Sequence, residues 1–208
     1  MSEFSTPFSN YDVLAKWNTP SWDDQTRDTL SRRLTAIPVR RFFSEDEWRL
    51  LEAVCGRLIP QPDRAQPVPI VPFIDEKLHH DWRDGFRYAD MPPSRDAWRL
   101  GLEGIEQESR HRFGRSFTSL GAVDQDVVLT AVQAGDVHGD VWQQLPAERF
   151  FLNVLLKEVV GEYYSHPAAW SEVGFGGPAS PRGYVRLGLN QRDPWEAAER
   201  VDAGAPRG

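Results

Sequence analysis

The chain has 208 residues, of which 40% are hydrophobic and 26% charged, values that are ordinary for a single globular domain with a real core. Its formal net charge of -7 opposes sequence-independent electrostatic binding to phosphate backbones, so nucleic acid is not an expected partner. The single cysteine, Cys55, excludes an intrachain disulfide framework, a zinc ribbon and an attached c-type haem, since each needs at least two cysteines.

The first part of the chain, residues 1–40, mixes polar, aromatic and proline residues without a sustained period. Such a pattern predicts an extended N-terminal arm. The start has neither a basic region nor an apolar stretch behind it, and the pair Arg32-Arg33 is not followed by the apolar segment of a twin-arginine signal. No apolar stretch has the length that spans a bilayer, so the sequence predicts a cytoplasmic chain without direct membrane insertion.

Helical spacing of apolar residues begins after this arm. Ser44 and Glu47 form a capping box in front of the first apolar face, on which Cys55 is predicted to be a buried, unreactive thiol; this helix ends at Pro60. A proline-rich connector over residues 61–72 is predicted to be rigid and extended. Further helices are predicted from Phe73 to Phe86, from Ser94 to Phe113, from the cap Asp124 to Ala131, and from Ala147 to Tyr164.

No run of the chain alternates with the two-residue period of a half-buried strand. The predicted fold class is therefore all-α, with an irregular helical domain of about five helices over residues 41–165. This domain lies between the arm of residues 1–40 and a final part, residues 166–208, which contains an aromatic, Pro- and Gly-rich interface segment and a C-terminal tail.

Two histidines with nearby carboxylates raise the alternative of a small metal-assisted enzyme. Asp75 lies four residues before His79, a spacing that places two ligands on one helical face. The same spacing separates His80 from Asp84. Two ligands are too few for a metal site, and neither a third histidine nor a cysteine pair completes them, so a solvated helical face is the favoured interpretation. The sequence also lacks a nucleophilic serine elbow.

The most unusual stretch is EYYSHPAAWSEVGFGGPASPRGY, residues 162–184, which is dense in aromatic residues, glycine and proline. Eight Trp and eleven Phe are many for this length, and aromatics in excess of core needs often mark a surface that a partner covers. The predicted partner-interface residues are Tyr163, Tyr164, His166, Trp170, Phe175, Arg182 and Tyr184. The alternative interpretation is a loop that folds back over the apolar end of the long helix.

Three motifs occur in order: RRFFSEDEWRLLEAVCGRLIP with its proline-rich connector and FID, then FFLNVLLKEVVGEYYSHP, and finally GFGGPASPRGY. This order resembles the gluconate 2-dehydrogenase subunit 3 family, from about Arg41 to Tyr184. The members of that family are small, or gamma, subunits of flavin-dependent sugar and sugar-acid dehydrogenases.

The resemblance implies an accessory role. In such complexes a large flavoprotein subunit of the glucose-methanol-choline (GMC) oxidoreductase class holds FAD and carries out the hydride chemistry, while the small subunit supports its folding, stability and often its export. The resemblance implies that this chain has no catalytic residue, cofactor or metal of its own. It also implies that a cytochrome c is a possible electron acceptor, as in membrane-bound relatives. Many relatives carry a twin-arginine signal before the RFF motif; here the expected location is the cytoplasm, with the periplasm as the alternative if the start has been trimmed or the partner carries a signal. A self-assembling structural protein is a third alternative.

Overall fold

The computed structural model of the protein describes residues 7–8, 11–62, 64–82, 85, 87–178 and 197. Within these residues all regular secondary structure is helical and no strand occurs, which confirms the predicted all-α class. None of the helices in this part of the chain is long and apolar enough to cross a bilayer.

Eight α-helical segments follow one another along the described residues, more than the five or so that the periodicity predicts. They are α1 (Asp24–Thr35), α2 (Glu45–Leu58), α3 (Ile70–His79), α4 (Ser94–Phe113), α5 (Ala122–Ala134), α6 (Val141–Gln144), α7 (Ala147–Phe150) and α8 (Lys157–Ser165). A π-helical turn, Phe151–Leu156, joins α7 to α8, so that the predicted long helix is one rod with a wider turn inside it. Short 3-10 helices cover Val13–Lys16, Phe117–Ser119 and Pro167–Val173.

Helix α1 corrects the prediction of an extended arm over residues 1–40. Asp23 caps it by accepting a hydrogen bond from the Thr26 backbone N–H at 2.8 Å. The helix buries only Thr26 and Leu30, so its apolar face is too sparse to produce a visible period in the sequence. Tertiary contacts with the rest of its unit stabilise it instead.

Helices α2 and α4 follow the prediction closely. The capping box is formed, since the Glu47 backbone N–H donates to the Ser44 hydroxyl at 3.2 Å and the Ser44 backbone N–H donates to the Glu47 carboxylate at 2.7 Å. Helix α4 begins at Ser94 and ends at Phe113, where Gly114 takes a left-handed conformation with φ of 66°. Helix α5 differs: Gly121 holds the N-cap position, and Asp124 lies inside the first turn.

Helix α3 begins and ends earlier than the sequence predicts. It starts at Ile70, inside the predicted connector, because a proline such as Pro72 is tolerated in a first turn. It stops at His79, where Asp81 adopts a positive φ of 53° and the Trp82 N–H donates to the Lys77 carbonyl. The predicted continuation to Phe86 is therefore wrong, and Trp82 is 58% exposed instead of extending the apolar face.

The chain divides into two compact units. The terminal unit comprises residues 1–37 together with 164–208, and the helical unit comprises residues 38–163. The sequence does not predict that the two ends of the chain share one unit, because their contacts join residues more than a hundred positions apart.

The core of the helical unit is built from the inner faces of its helices. Its fully buried aliphatic side chains include Leu51, Val54, Ile74, Leu102, Ile105, Leu145, Leu155 and Val159. Three rings lie among them: Phe43 and Trp98 pack edge to face with centroids 6.0 Å apart, and Trp98 and Phe150 do the same at 6.1 Å. These rings connect the RRFF motif to α4 and to the long helix.

Two glycines let α4 pack closely against aromatic rings. A Cβ atom at Gly101 would lie 2.0 Å from Cζ of Phe150, and one at Gly104 would lie 2.4 Å from Cζ2 of Trp142. Both distances are far below van der Waals contact, so the rings rest directly on the helix backbone.

Candidate partner-binding surface

The predicted interface segment starts where α8 ends, and its sequence explains its local structure. Pro167 occupies the first position of the 3-10 helix Pro167–Val173, where its missing N–H and fixed φ are tolerated. His166 caps that helix, since its Nδ1 accepts a hydrogen bond from the Ala168 N–H at 3.3 Å. Gly174 ends the helix with φ of 67°. The SHP residues and Gly174 thus fix where this 3-10 helix begins and ends.

Trp170 lies at the centre of the terminal unit. It is 6% exposed and packs in one cluster with Val13, Trp22 and Leu30. Its Nε1 donates to the Tyr164 carbonyl at 2.9 Å, which satisfies the indole N–H inside the core. The segment therefore contributes a large aromatic side chain to the core that it shares with N-terminal residues.

Hydrogen bonds tie the same segment to the N-terminal residues along its length. The Val13 backbone N–H donates to the Ser171 hydroxyl at 3.0 Å, and Nζ of the buried Lys16 donates to the Gly176 carbonyl at 2.9 Å. Gly177 has φ of 74°, and a Cβ there would lie 2.8 Å from the Trp22 indole. The terminal unit is thus one structure made from both ends of the chain.

The predicted interface residues divide into three groups by their position. Tyr163, His166 and Trp170 are buried within the chain itself, at 4%, 6% and 6% exposure. Tyr164 is half-buried and Phe175 is 48% exposed. Arg182 and Tyr184 lie outside the described residues. Trp170 packs on N-terminal residues of its own unit, whereas Tyr163 belongs to the helical unit, where the guanidinium carbon of Arg64 lies 5.7 Å from the centroid of its ring. The partner-interface role remains a prediction, and among the members that the structure describes Phe175 is the most exposed.

Further apolar side chains are exposed in both units. In the terminal unit they are Ile37, Val173 and Phe175, and in the helical unit they are Val39, Trp82, Tyr88, Val123, Val127 and Leu152. Trp82 stacks on the exposed His80 with ring centroids 4.8 Å apart. Sequence reasoning missed Trp82 as a surface residue because four-residue spacing placed it on the inner face of a longer α3.

The residues of the metal alternative do not form a site in the described structure. Asp75 is fully buried, and its carboxylate accepts hydrogen bonds from the backbone N–H groups of Arg41, Phe42 and Phe43 at 2.7, 3.0 and 2.9 Å. His79 and His80 are exposed, and Asp84 lies outside the described residues. Among the residues that the structure describes, no three His, Cys, Asp or Glu side chains are grouped so as to hold a metal ion.

The titratable groups with shifted pKa values have structural partners. Burial, aided by the charge of Glu52, raises the pKa of the Cys55 thiol to about 12, which keeps it protonated and unreactive. A bidentate hydrogen-bonded pair with Arg57 lowers the pKa of Asp126 and joins α2 to α5. Asp126 thus has a structural role between two helices, and the Cys55 thiol lies buried on α2.

Comparison with sequence models of protein families matches residues 45–177 to the family described as gluconate 2-dehydrogenase subunit 3. The matched region is more than half of the 208-residue chain, and it extends from the first residue of α2 to the glycines that follow Phe175. No curated protein and no solved structure matches the chain. On the strength of the family match, which confirms the resemblance of its motifs, the chain belongs to the gluconate 2-dehydrogenase subunit 3 family.

Proposed function

We propose that this chain is a non-catalytic small subunit that binds, stabilises and helps to mature the large subunit of a flavin-dependent sugar or sugar-acid dehydrogenase. The family match over residues 45–177 carries the proposal, because the family is described as a subunit of a dehydrogenase. In this proposal the large subunit is a flavoprotein of the GMC class that holds FAD, and a cytochrome c subunit is a further candidate partner. Assembly in the cytoplasm remains a prediction.

One feature of the described residues supports a binding role, and a second supports the absence of catalysis from the proposal. Large apolar side chains such as Trp82 and Phe175 are about half exposed, which is the kind of surface that a partner protein covers. The most deeply buried carboxylates, Asp75 and Glu108, are engaged by backbone and side-chain donors of the chain itself. Neither carboxylate is therefore free to act as a general acid or base.

Co-expression tests the proposal directly. The tagged chain is produced together with the flavoprotein encoded beside it, and the eluate is examined for flavin absorption and dye-linked sugar oxidation. We expect a yellow, active heteromer, and we expect the soluble flavoprotein to be lost when this chain is omitted. The matched control is the flavoprotein co-expressed with an unrelated helical protein carrying the same tag.

Other outcomes separate the alternatives. A stable, colourless monomer without affinity for the flavoprotein contradicts the proposal. A homo-oligomer seen by light scattering, unchanged by the flavoprotein, favours the self-assembling structural protein. Stoichiometric metal found by elemental analysis of the purified chain favours the small metal-assisted enzyme.

A further inference from the structure

Three arginines of the helical unit surround the Phe42 ring and the carbonyls beside it. The guanidinium carbons of Arg95 and Arg99 lie 5.0 and 4.8 Å from the centroid of that ring. Arg99 also donates to the Phe42 carbonyl at 3.4 Å, and Arg40 donates to the next carbonyl, that of Phe43, at 3.0 Å. We call Arg40, Arg95 and Arg99 the arginine face.

The buried carboxylate of Asp75 fixes the backbone on which the arginine face rests. Asp75 accepts hydrogen bonds from three successive backbone N–H groups, those of Arg41, Phe42 and Phe43, and so fixes the turn from which the Phe42 ring and both carbonyls project. Arg95 and Arg99 are four residues apart on α4, so their side chains emerge from neighbouring positions on one face. The arginine face is therefore preorganised.

Among the described residues, the arginine face lacks the carboxylate partners that six other arginines of the unit have, a property that it shares with Arg41 and Arg87. Ion pairs with carboxylates are formed by Arg49, Arg57, Arg110, Arg112, Arg115 and Arg149. No carboxylate in the described part of the chain forms an ion pair with Arg40, Arg95 or Arg99, although the chain carries a net charge of -7. All three residues are exposed. Three unneutralised guanidinium groups on an acidic protein form a surface complementary to carboxylates.

A groove next to the face provides room for a chain segment. It has a volume of about 660 Å³, lies between α2 and α4, and includes Arg99 in its lining. The groove is lined by four carboxylates, those of Asp46, Glu47, Glu103 and Glu106. Three of them have donors: Glu47 accepts from the Ser44 N–H, Glu103 from Gln107, and Glu106 from the Phe117 N–H and from Arg110. Of the three arginines in this lining, Arg49 and Arg110 form ion pairs with Glu45 and Glu106, and Arg99 forms none with any described carboxylate, so an acidic ligand is expected at the Arg99 edge of the groove.

The geometry points to a specific use of this surface: the arginine face binds an acidic segment of the flavoprotein large subunit, with two carboxylates of that segment pairing with Arg95 and Arg99. This inference rests on the proposed function. Planar guanidinium groups bind carboxylates through two parallel hydrogen bonds, and the Phe42 ring limits the freedom of both side chains before binding. The segment that fits has acidic side chains about 5–6 Å apart, as at positions i and i+4 of a helix.

The test compares three double variants of this chain in complex with the flavoprotein. R95Q/R99Q removes both charges, and R95K/R99K keeps them without the planar fork. R57Q/R115Q is the matched control, because it removes two charges from arginines that already pair with Asp126 and Asp124. Affinity is measured by titration at several salt concentrations, and thermal unfolding of each variant verifies its fold.

We expect R95Q/R99Q to weaken binding by at least about tenfold and to flatten the dependence of the Kd on salt. R95K/R99K retains the salt dependence and loses part of the affinity, and R57Q/R115Q binds as the wild type does. Equal affinity and equal salt dependence of R95Q/R99Q and wild type overturn the inference and leave the proposed function intact. A wild-type chain that does not bind the flavoprotein overturns both. If R95Q/R99Q does not fold, R95Q alone is measured, because it keeps the Arg99 bond to the Phe42 carbonyl.

Discussion

At the scale of single residues, Glu108 shows how a charged group is held inside the helical unit. The side chain is fully buried, and its carboxylate accepts hydrogen bonds from Arg112 and from the backbone N–H of His138, the latter at 2.7 Å. Burial by itself raises the pKa of Glu108, but the hydrogen bonds from His138 and Arg112 outweigh burial and lower it. Glu108 thus fixes the loop that contains His138 to α4.

Replacing this carboxylate changes stability in a way that depends on pH. Because the pKa of Glu108 is lower in the folded chain than the value of about 4.3 in an unfolded chain, its ionised form stabilises the folded state above that value. We expect Glu108→Gln to reduce the free energy of unfolding by about 3 kcal/mol at pH 7, since Arg112 loses its buried partner. The difference shrinks as the pH falls below about 5 and is lost below the folded-state pKa of Glu108.

Urea unfolding of the wild type and of the Glu108→Gln variant between pH 7 and pH 3 measures this difference in the free energy of unfolding. The control is Glu45→Gln, which breaks an exposed ion pair with Arg49 on α2 and is expected to change stability by less than about 1 kcal/mol. A Glu108→Gln effect of the same size at every pH contradicts the assigned role of the carboxylate.

At the scale of elements, the sequence predicts those helix ends that are determined by residues close to them in the chain. The capping box of α2 and both ends of α4 follow from residue types within a few positions of each end. The end of α3 does not, because Asp81 takes the left-handed position that glycine usually occupies. The π-helical turn over Phe151–Leu156 cannot be predicted from the sequence either, since FLNVLL has the composition of an ordinary buried α-helix.

The close packing of α4 against Phe150 gives a prediction at the same scale. We expect Gly101→Ala to lower the free energy of unfolding by about 2 kcal/mol, because the new Cβ would lie 2.0 Å from the buried ring and must displace it. Gly56→Ala is the matched control: Gly56 lies inside α2, is exposed and has no atom within 4 Å of the added Cβ. That substitution is expected to raise stability by about 0.5–1 kcal/mol.

Chemical denaturation of the two variants beside the wild type measures both changes. The two changes in the free energy of unfolding are expected to have opposite signs. Because glycine is replaced by alanine inside a helix in both variants, helix propensity acts alike in the two, and the difference reports the packing against Phe150. If Gly101→Ala is stabilising by as much as Gly56→Ala, Phe150 does not rest on the α4 backbone.

At the scale of the whole molecule, the sequence predicts the class of fold but not the pairing of the chain ends. The all-α class follows from periodicity, which helices such as α2 and α4 carry in their own residues. The core around Trp170 depends on Val13, Trp22 and Leu30, and no local pattern reveals contacts across such a separation. For the same reason the buried members of the predicted interface, such as His166, could not be distinguished from exposed ones such as Phe175.

The exposed members of the interface prediction can be tested in the complex. Hydroxyl-radical footprinting of the isolated chain is expected to oxidise Phe175, which is 48% exposed, and to leave Trp98, which is 2% exposed, unmodified. If the segment around Phe175 contacts the flavoprotein, oxidation of Phe175 falls several-fold in the complex, because a partner that covers a ring excludes the water from which the radicals come. Trp98 is the internal control, since it stays protected in both states as long as the helical unit is folded. Equal oxidation of Phe175 in the free and bound chain means that the partner binds elsewhere, and the arginine face then becomes the surface to map first.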